Sequence, residues 1–185
     1  MIRPAPRAAA LTLHALALTV ALGCRDRPSH RLSERLSDRF PLAEVSVEVD
    51  LLDLGTDPAR ELLGGGWSWN ESSGEIDYVW SVGPESWITF PLTRPRALEV
   101  EFRCRPLESG NGSTQEIRLW INSTSLPPVS LARGMNDYAV ALPANALKAG
   151  QNTLRMQYEF TRSPYEMNGS GDHRQLGVAW DWIRL

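Results

Sequence analysis

Cysteine and histidine are scarce in this chain, and their scarcity excludes much of metal and redox chemistry. The 185 residues hold two cysteines, Cys24 and Cys104, and three histidines, His14, His30 and His173. No His pair, Cys pair or His-Glu-x-x-His spacing is available to a transition metal, so no metal site is expected. No glycine-rich loop leads into a helix to cradle phosphate, and no Gly-x-Ser-x-Gly elbow presents a nucleophile. Runs of Lys and Arg with interleaved aromatics are missing as well, which leaves nucleic acid without an electrostatic footprint. What remains, 42% hydrophobic and 22% charged, is the composition of a globular chain of one domain plus a leader.

The first 24 residues stand apart. Arg3 and Arg7 precede an uncharged apolar run from Ala8 to Leu22, which ends at Gly23-Cys24. This is the layout of a secretory signal, and the run is too short for a membrane-spanning helix. The segment Ala21-Leu22-Gly23-Cys24 resembles the lipobox of bacterial lipoproteins, with its leucine and small residue in inverted order. The resemblance implies cleavage after residue 23, diacylglycerol on Cys24 and anchorage in the cell envelope, each buried methylene contributing about 0.8 kcal/mol. Loss of Arg3 and Arg7 with the signal peptide, residues 1–23, takes the formal net charge from −3 to −5. With Cys24 acylated, Cys104 has no disulfide partner, and stability has to come from the core. Residues 24–43 read as a polar tether. Leu32, Leu36 and Phe40, four residues apart, leave a short amphipathic helix open as the alternative.

From residue 44 onward the hydrophobic period is two. Leu98, Val100, Phe102 and Cys104 alternate with Glu99, Glu101, Arg103 and Arg105, and Leu154, Met156, Tyr158 and Phe160 alternate with Arg155, Gln157 and Glu159. Ile117, Leu119 and Ile121 face inward between Glu116, Arg118 and Trp120, and Val45, Val47, Val49 and Leu51 form a fourth inward set. Successive side chains of a strand point to opposite faces, so these segments are half-buried strands. Weaker strands are expected at 76–82, 86–92, 128–132, 136–142 and 175–184, separated by Gly-, Pro- and Asn-rich turns. Many short strands with almost no helical period make residues 44–185 an all-β domain, an antiparallel β-sandwich following an N-terminal signal helix.

One region carries a family likeness. A strand ending in Trp120-Ile121-Asn122 is followed by the strand Asn136–Leu142, then by Leu147-Lys148-Ala149-Gly150-Gln151-Asn152-Thr153-Leu154. With the closing stretch Leu176–Leu185, this resembles the galactose-binding-like jelly roll, also the scaffold of carbohydrate-binding modules. The resemblance spans roughly residues 45–185 and implies a fold more firmly than a ligand. Leu62-Leu63-Gly64-Gly65-Gly66-Trp67-Ser68-Trp69-Asn70-Glu71, with Trp180-Asp181-Trp182, is similar to accessory domains found beside bacterial sulfatases and glycosyltransferases. That likeness implies a catalytic domain or partner protein nearby.

Catalytic chemistry finds little support. Cys104-Arg105-Pro106 is similar to the sulfatase motif Cys-x-Pro-x-Arg, but Glu108 stands where its arginine belongs and Cys104 lies on an apolar strand face. Glu99 with Glu101, or Glu159 with Asp181, would supply paired carboxylates, yet arginines share their faces and cross-strand ion pairs explain them. No catalytic residue is assigned. The seven tryptophans are the functional signal, because sugars stack their C–H faces on aromatic rings. Trp120 faces away from its strand's core side, and the alternative for it is packing beneath a loop. Trp67 and Trp69 follow three glycines in an expected loop beside Asn70 and Glu71, polar groups able to bind hydroxyls; the alternative is that this loop folds down to plug the sandwich end. Trp180 and Trp182 are expected in the core, with Asp181 turned the other way toward an arginine or a structural calcium ion. The reading is an exported, non-catalytic carbohydrate-binding module with ligand-binding candidates Trp67, Trp69, Glu71, Trp120 and Asp181, and no required cofactor. Its partners would be carbohydrate or a catalytic domain, and the membrane through Cys24.

Overall fold

A computed structural model describes residues 48–108 and 114–185 of the chain. The expected leader, the tether, Cys24, the boundary at 44 and most of the Glu108–Gly112 turn lie outside the described residues.

Alternation builds the central strands as expected. In β5 (Leu98–Pro106) Val100, Phe102 and Cys104 are buried, while the glutamates and arginines between them reach solvent. β6 (Glu116–Ile121) and β10 (Gly150–Tyr158) bury Ile117, Leu119, Ile121, Leu154, Met156 and Tyr158. Phe160 falls beyond the end of β10 and is half-buried. The other strands are β1 (Leu51–Asp53), β2 (Trp67–Ser73), β3 (Ile76–Val82), β4 (Glu85–Leu92), β7 (Thr124–Ser125), β8 (Val129–Ser130), β9 (Asn136–Leu142) and β11 (Leu176–Arg184). A single short α-helix, α1 (Pro164–Asn168), is present among the described residues.

Two antiparallel sheets stack face to face as a jelly-roll sandwich. The first runs β2-β3-β11-β5-β9, with β1 on the edge of β11 beyond β3; the second runs β4-β10-β6-β7, with β8 also on β6. Between them Phe90, Ile88 and Met156 meet Phe102, Cys104, Val178 and Trp180, and the Phe102 and Trp180 rings lie 5.1 Å apart. Burial holds the Cys104 thiol well above its ordinary pKa, as a core hydrophobe requires.

The Gly150 turn uses its two special residues as the sequence suggested. Gly150 takes a left-handed φ of 83°. The fully buried Asn152 amide accepts from the Lys148 N–H at 3.0 Å and donates to the Lys148 and Gly150 carbonyls. Asn122, itself left-handed, donates from its side chain to Asn152 Oδ1 at 2.9 Å and ties the turn to the end of β6.

Three expectations need correction. Among the described residues the first strand is Leu51–Asp53, and its phase is reversed: Leu52 is buried and Leu51 is exposed. Its partner decides this, since Leu52 stands opposite the inward Ile183 and Leu51 opposite the outward Arg184. Residues 67–73, expected as a loop, form β2, paired with β3. Trp182, expected in the core, is half-buried on the outer face. A bulge in β11 causes this: Trp180 pairs with Cys104 and Trp182 with the next residue, Arg103, so Asp181 is the extra residue.

Candidate functional site

Three glycines prepare the site. The Gly64 N–H donates to the Trp87 carbonyl at 2.9 Å, and the Trp87 N–H donates to the Gly65 carbonyl at 3.3 Å. A Cβ on Gly64 or Gly65 would overlap the Trp87 indole, and one on Gly66 would strike the Glu85 carbonyl. Only bare backbone can lie flat across Trp87 and enter β2 from there.

β2 then separates its two tryptophans. Residues two apart on a strand share a face, so Trp67 and Trp69 should point the same way. A bulge prevents it: Trp67 pairs with Ser81 and Asn70 with Val79, leaving one extra residue on β2. The buried Ser68 hydroxyl accepts the Trp80 N–H at 2.9 Å. Trp67 turns inward, edge-on to Trp180 at 6.1 Å, and its indole N–H donates to the Trp87 carbonyl. Trp67 is therefore part of the core wall and does not face a ligand. Trp69 turns outward and is 63% exposed.

An arginine from across the fold braces Trp69. The guanidinium carbon of Arg174 sits 4.2 Å from the Trp69 ring centroid. Arg174 donates in fork geometry to Asp172, with its shortest contact at 2.6 Å, and reaches Glu71 at 2.6 Å. The bonds from Arg174 hold the Asp172 carboxyl below its ordinary pKa, and Asp172 in turn raises that of Arg174. Asp172 is positioned by α1, whose Ser163–Glu166 capping box and left-handed Gly169 turn the chain back until the Tyr165 N–H donates to the Asp172 carbonyl at 2.8 Å. On the same loop an exposed Tyr165 ring stacks on His173 at 4.2 Å. The result is an indole plate, 63% exposed, with one face covered by a guanidinium that two carboxylates clamp. Such a plate can take the apolar face of a sugar ring while the carboxylates accept from hydroxyls.

The remaining expected residues lie elsewhere. Trp120 is half-buried on the outer face of the second sheet, in one cross-strand row with Arg155 and Trp87. The Arg155 guanidinium covers it at 4.3 Å and contacts Glu85 at 3.3 Å. Asp181 is on the outer face of the first sheet, where Arg103 lies 3.7 Å from it and 3.6 Å from Asp137. Burial raises the Asp181 pKa and Arg103 opposes that rise. Among the described residues no three His, Cys, Asp or Glu side chains converge as a metal site would need. The expected set thus divides: Trp69 and Glu71 meet, while Trp67, Trp120 and Asp181 do not join them. Arg174 and Asp172 belong to the site and were not foreseen, since the Glu71–Arg174 pair is separated by 103 residues.

No protein-family model matches the chain, and no curated protein matches it. Solved structures do. A stretch of a GH115 4-O-methyl-α-glucuronidase with specificity for decorated arabinogalactans superposes with a TM-score of 0.50 at 12% identity, over 75% of this chain and 17% of that enzyme. A family 35 carbohydrate-binding module from Clostridium thermocellum gives 0.47 at 16% identity, over 73% of this chain and 96% of the module. The carbohydrate-binding module CBM36, solved with calcium and xylotriose, gives 0.42 at 12% identity, over 74% and 98%. The likeness is one of fold: an antiparallel jelly-roll β-sandwich.

Proposed function

We propose that this chain is an exported, non-catalytic carbohydrate-binding module, with residues 44–185 as the binding domain and Trp69 as its stacking plate. One observation carries the reading: a tryptophan 63% exposed, yet held rigid by an arginine that two carboxylates clamp. Exposed indoles are costly to hydrate, and a braced one loses little conformational entropy when a ligand stacks on it. The GH115 enzyme, a stretch of which shares this fold, has specificity for decorated arabinogalactans and supports the same class of ligand. Residues 1–23 serve as signal peptide, residues 24–43 as tether, and acylated Cys24 as membrane anchor.

Calorimetric titration of the domain with a panel of plant and bacterial polysaccharides tests the binding reading. At least one is expected to bind the wild type, and Trp69→Ala to weaken that binding about tenfold with its unfolding midpoint unchanged. Failure of every polysaccharide to bind would end the proposal. Metabolic labelling with palmitate tests the anchor, the label being lost in Cys24→Ala.

A second reading has its own support. The GH115 stretch that this chain resembles is one part of a much longer enzyme. The domain would then serve as a structural accessory to a catalytic partner of sulfatase or glycosyltransferase type. An in-frame catalytic domain, or one encoded by the adjoining gene and co-purifying with this chain, supports that reading. Absence of both removes it.

A further inference from the structure

The outer face of the first sheet holds a second concavity, built around Arg105. Its neighbours on that face are paired: Arg103 lies between Asp137 and Asp181, and Arg184 is 2.9 Å from Glu101. Among the described residues Arg105 has no carboxylate within ion-pair distance. Its Nε is buried with no hydrogen-bond partner. The guanidinium rests instead on two aromatic rings, 5.3 Å from the centroid of Tyr78 and 5.6 Å from that of Trp80, both buried beneath it. A cavity of about 140 Å³ opens beside it, lined by Ser73, Ile76, Tyr78, Arg105, Gly134 and Met135.

Ring quadrupoles leave the buried Nε–H of this half-buried cation without an acceptor, and an oxyanion would complete the fork geometry a guanidinium offers. The lining limits what can carry that oxyanion. Apart from Arg105 the lining residues carry two hydroxyls, on Ser73 and Tyr78, and otherwise Ile76, Gly134 and Met135. A sugar would leave most of its hydroxyls unpaired there, whereas an aliphatic stem would not. We propose that the Arg105 cavity is a binding site for a carboxylate carried on an apolar stem. Two sources share that chemistry, a free short-chain carboxylic acid and a glutamate side chain of a docked polypeptide. The site is separate from Trp69 and stands whether or not glycan binds there.

The test follows the Arg105 Nε–H and Trp80 Nε1–H signals of ¹⁵N-labelled domain by NMR. The probes are butyrate, butyramide, sulfate, glucuronate, and the acetylated, amidated peptide Ala-Ala-Glu-Ala-Ala. Butyrate and the peptide are expected to shift both signals saturably, and butyramide to leave them unmoved. Arg105→Gln should abolish the response, and Arg105→Lys, which keeps the charge and loses the fork, should weaken it severalfold. Tighter binding by the peptide than by butyrate assigns the polypeptide source, and the reverse assigns the free acid. Equal shifts with sulfate or glucuronate would overturn the apolar-stem requirement. No shift with butyrate or the peptide at tens of millimolar would overturn the site.

Discussion

Trp69 and Trp120, one on each sheet, each carry an arginine on one face, and they differ in what holds that arginine. Arg155 over Trp120 has one contact, to Glu85 at 3.3 Å, and both side chains are 41% exposed. Arg174 over Trp69 has two carboxylates at 2.6 Å and is 19% exposed. The first is a surface pair that water and salt weaken. The second is a half-buried network in which each charge is needed by the others. The same stacked pair of residue types therefore makes a compliant cover at Trp120 and a rigid support at Trp69. Exposure follows the same division: Trp120 is half-buried under its arginine, and Trp69 is 63% exposed.

Removing each arginine gives the largest contrast. Arg174→Ala strands Glu71 and Asp172 next to each other and is expected to cost about 2 kcal/mol of stability, below the full value for a buried pair because the group retains some water. Arg155→Ala is expected to cost less than about 1 kcal/mol. Urea unfolding of the two variants beside the wild type measures both. Equal losses would remove the distinction between support and cover. Glycan affinity provides the next contrast: Trp69→Ala should weaken binding about tenfold, near 1.4 kcal/mol, and Trp120→Ala should leave it within a factor of two. A larger loss at Trp120 would move the site to the second sheet.

Legibility in the sequence followed the regularity of each strand. The inward sets of β5, β6 and β10 were readable, because each strand alternates without interruption, Phe160 past the end of β10 excepted. That of β2 was not. Three glycines precede it, a serine replaces the expected inward hydrophobe, and a bulge sends Trp67 and Trp69 to opposite sides. The bulge at Asp181 hid the outward turn of Trp182 in the same way. A bulge reverses parity, and parity is the only signal a strand offers to sequence reading. The site suffered twice over: its plate lies just past a bulge, and its clamp comes from a loop distant in sequence. Trp69 and Glu71 were recognised from residue type alone, while Arg174 and Asp172 carry no local pattern that marks them.

Acid sharpens the comparison on a smaller scale. Bonds from Arg174 lower the Asp172 pKa below its unfolded value of 3.8. A carboxylate lowered in the folded state contributes stability that is complete above the unfolded pKa and is lost as pH falls through the folded one. The stability difference between wild type and Arg174→Gln should therefore be constant above about pH 4 and shrink below it. Glu48, lowered to about 2 by Arg96 and Thr93, titrates in the same acid range but does so equally in both proteins and cancels in the difference. A difference that stays constant down to pH 2 would show that Asp172 is not held by Arg174 in solution.

Salt probes the weaker arginine and gives the smallest effect. The Arg155–Glu85 pair is exposed enough for ions to screen, and Glu85→Gln should cost only about 0.3 kcal/mol at low ionic strength. At 1 M salt, where the Debye length is about 3 Å, that cost should vanish, because the charges no longer sense each other beyond contact. Stacking of Arg155 on Trp120 depends less on Glu85 than on ring contact, so Trp120 fluorescence should hardly change in the variant. The corresponding Glu71→Gln cost should persist better through the same salt series, since the side chains of that network are 19–28% exposed against 41% for Arg155 and Glu85. If both costs vanish together, the Trp69 support is no more rigid than the Trp120 cover, and the case for a preorganised plate at Trp69 fails with it.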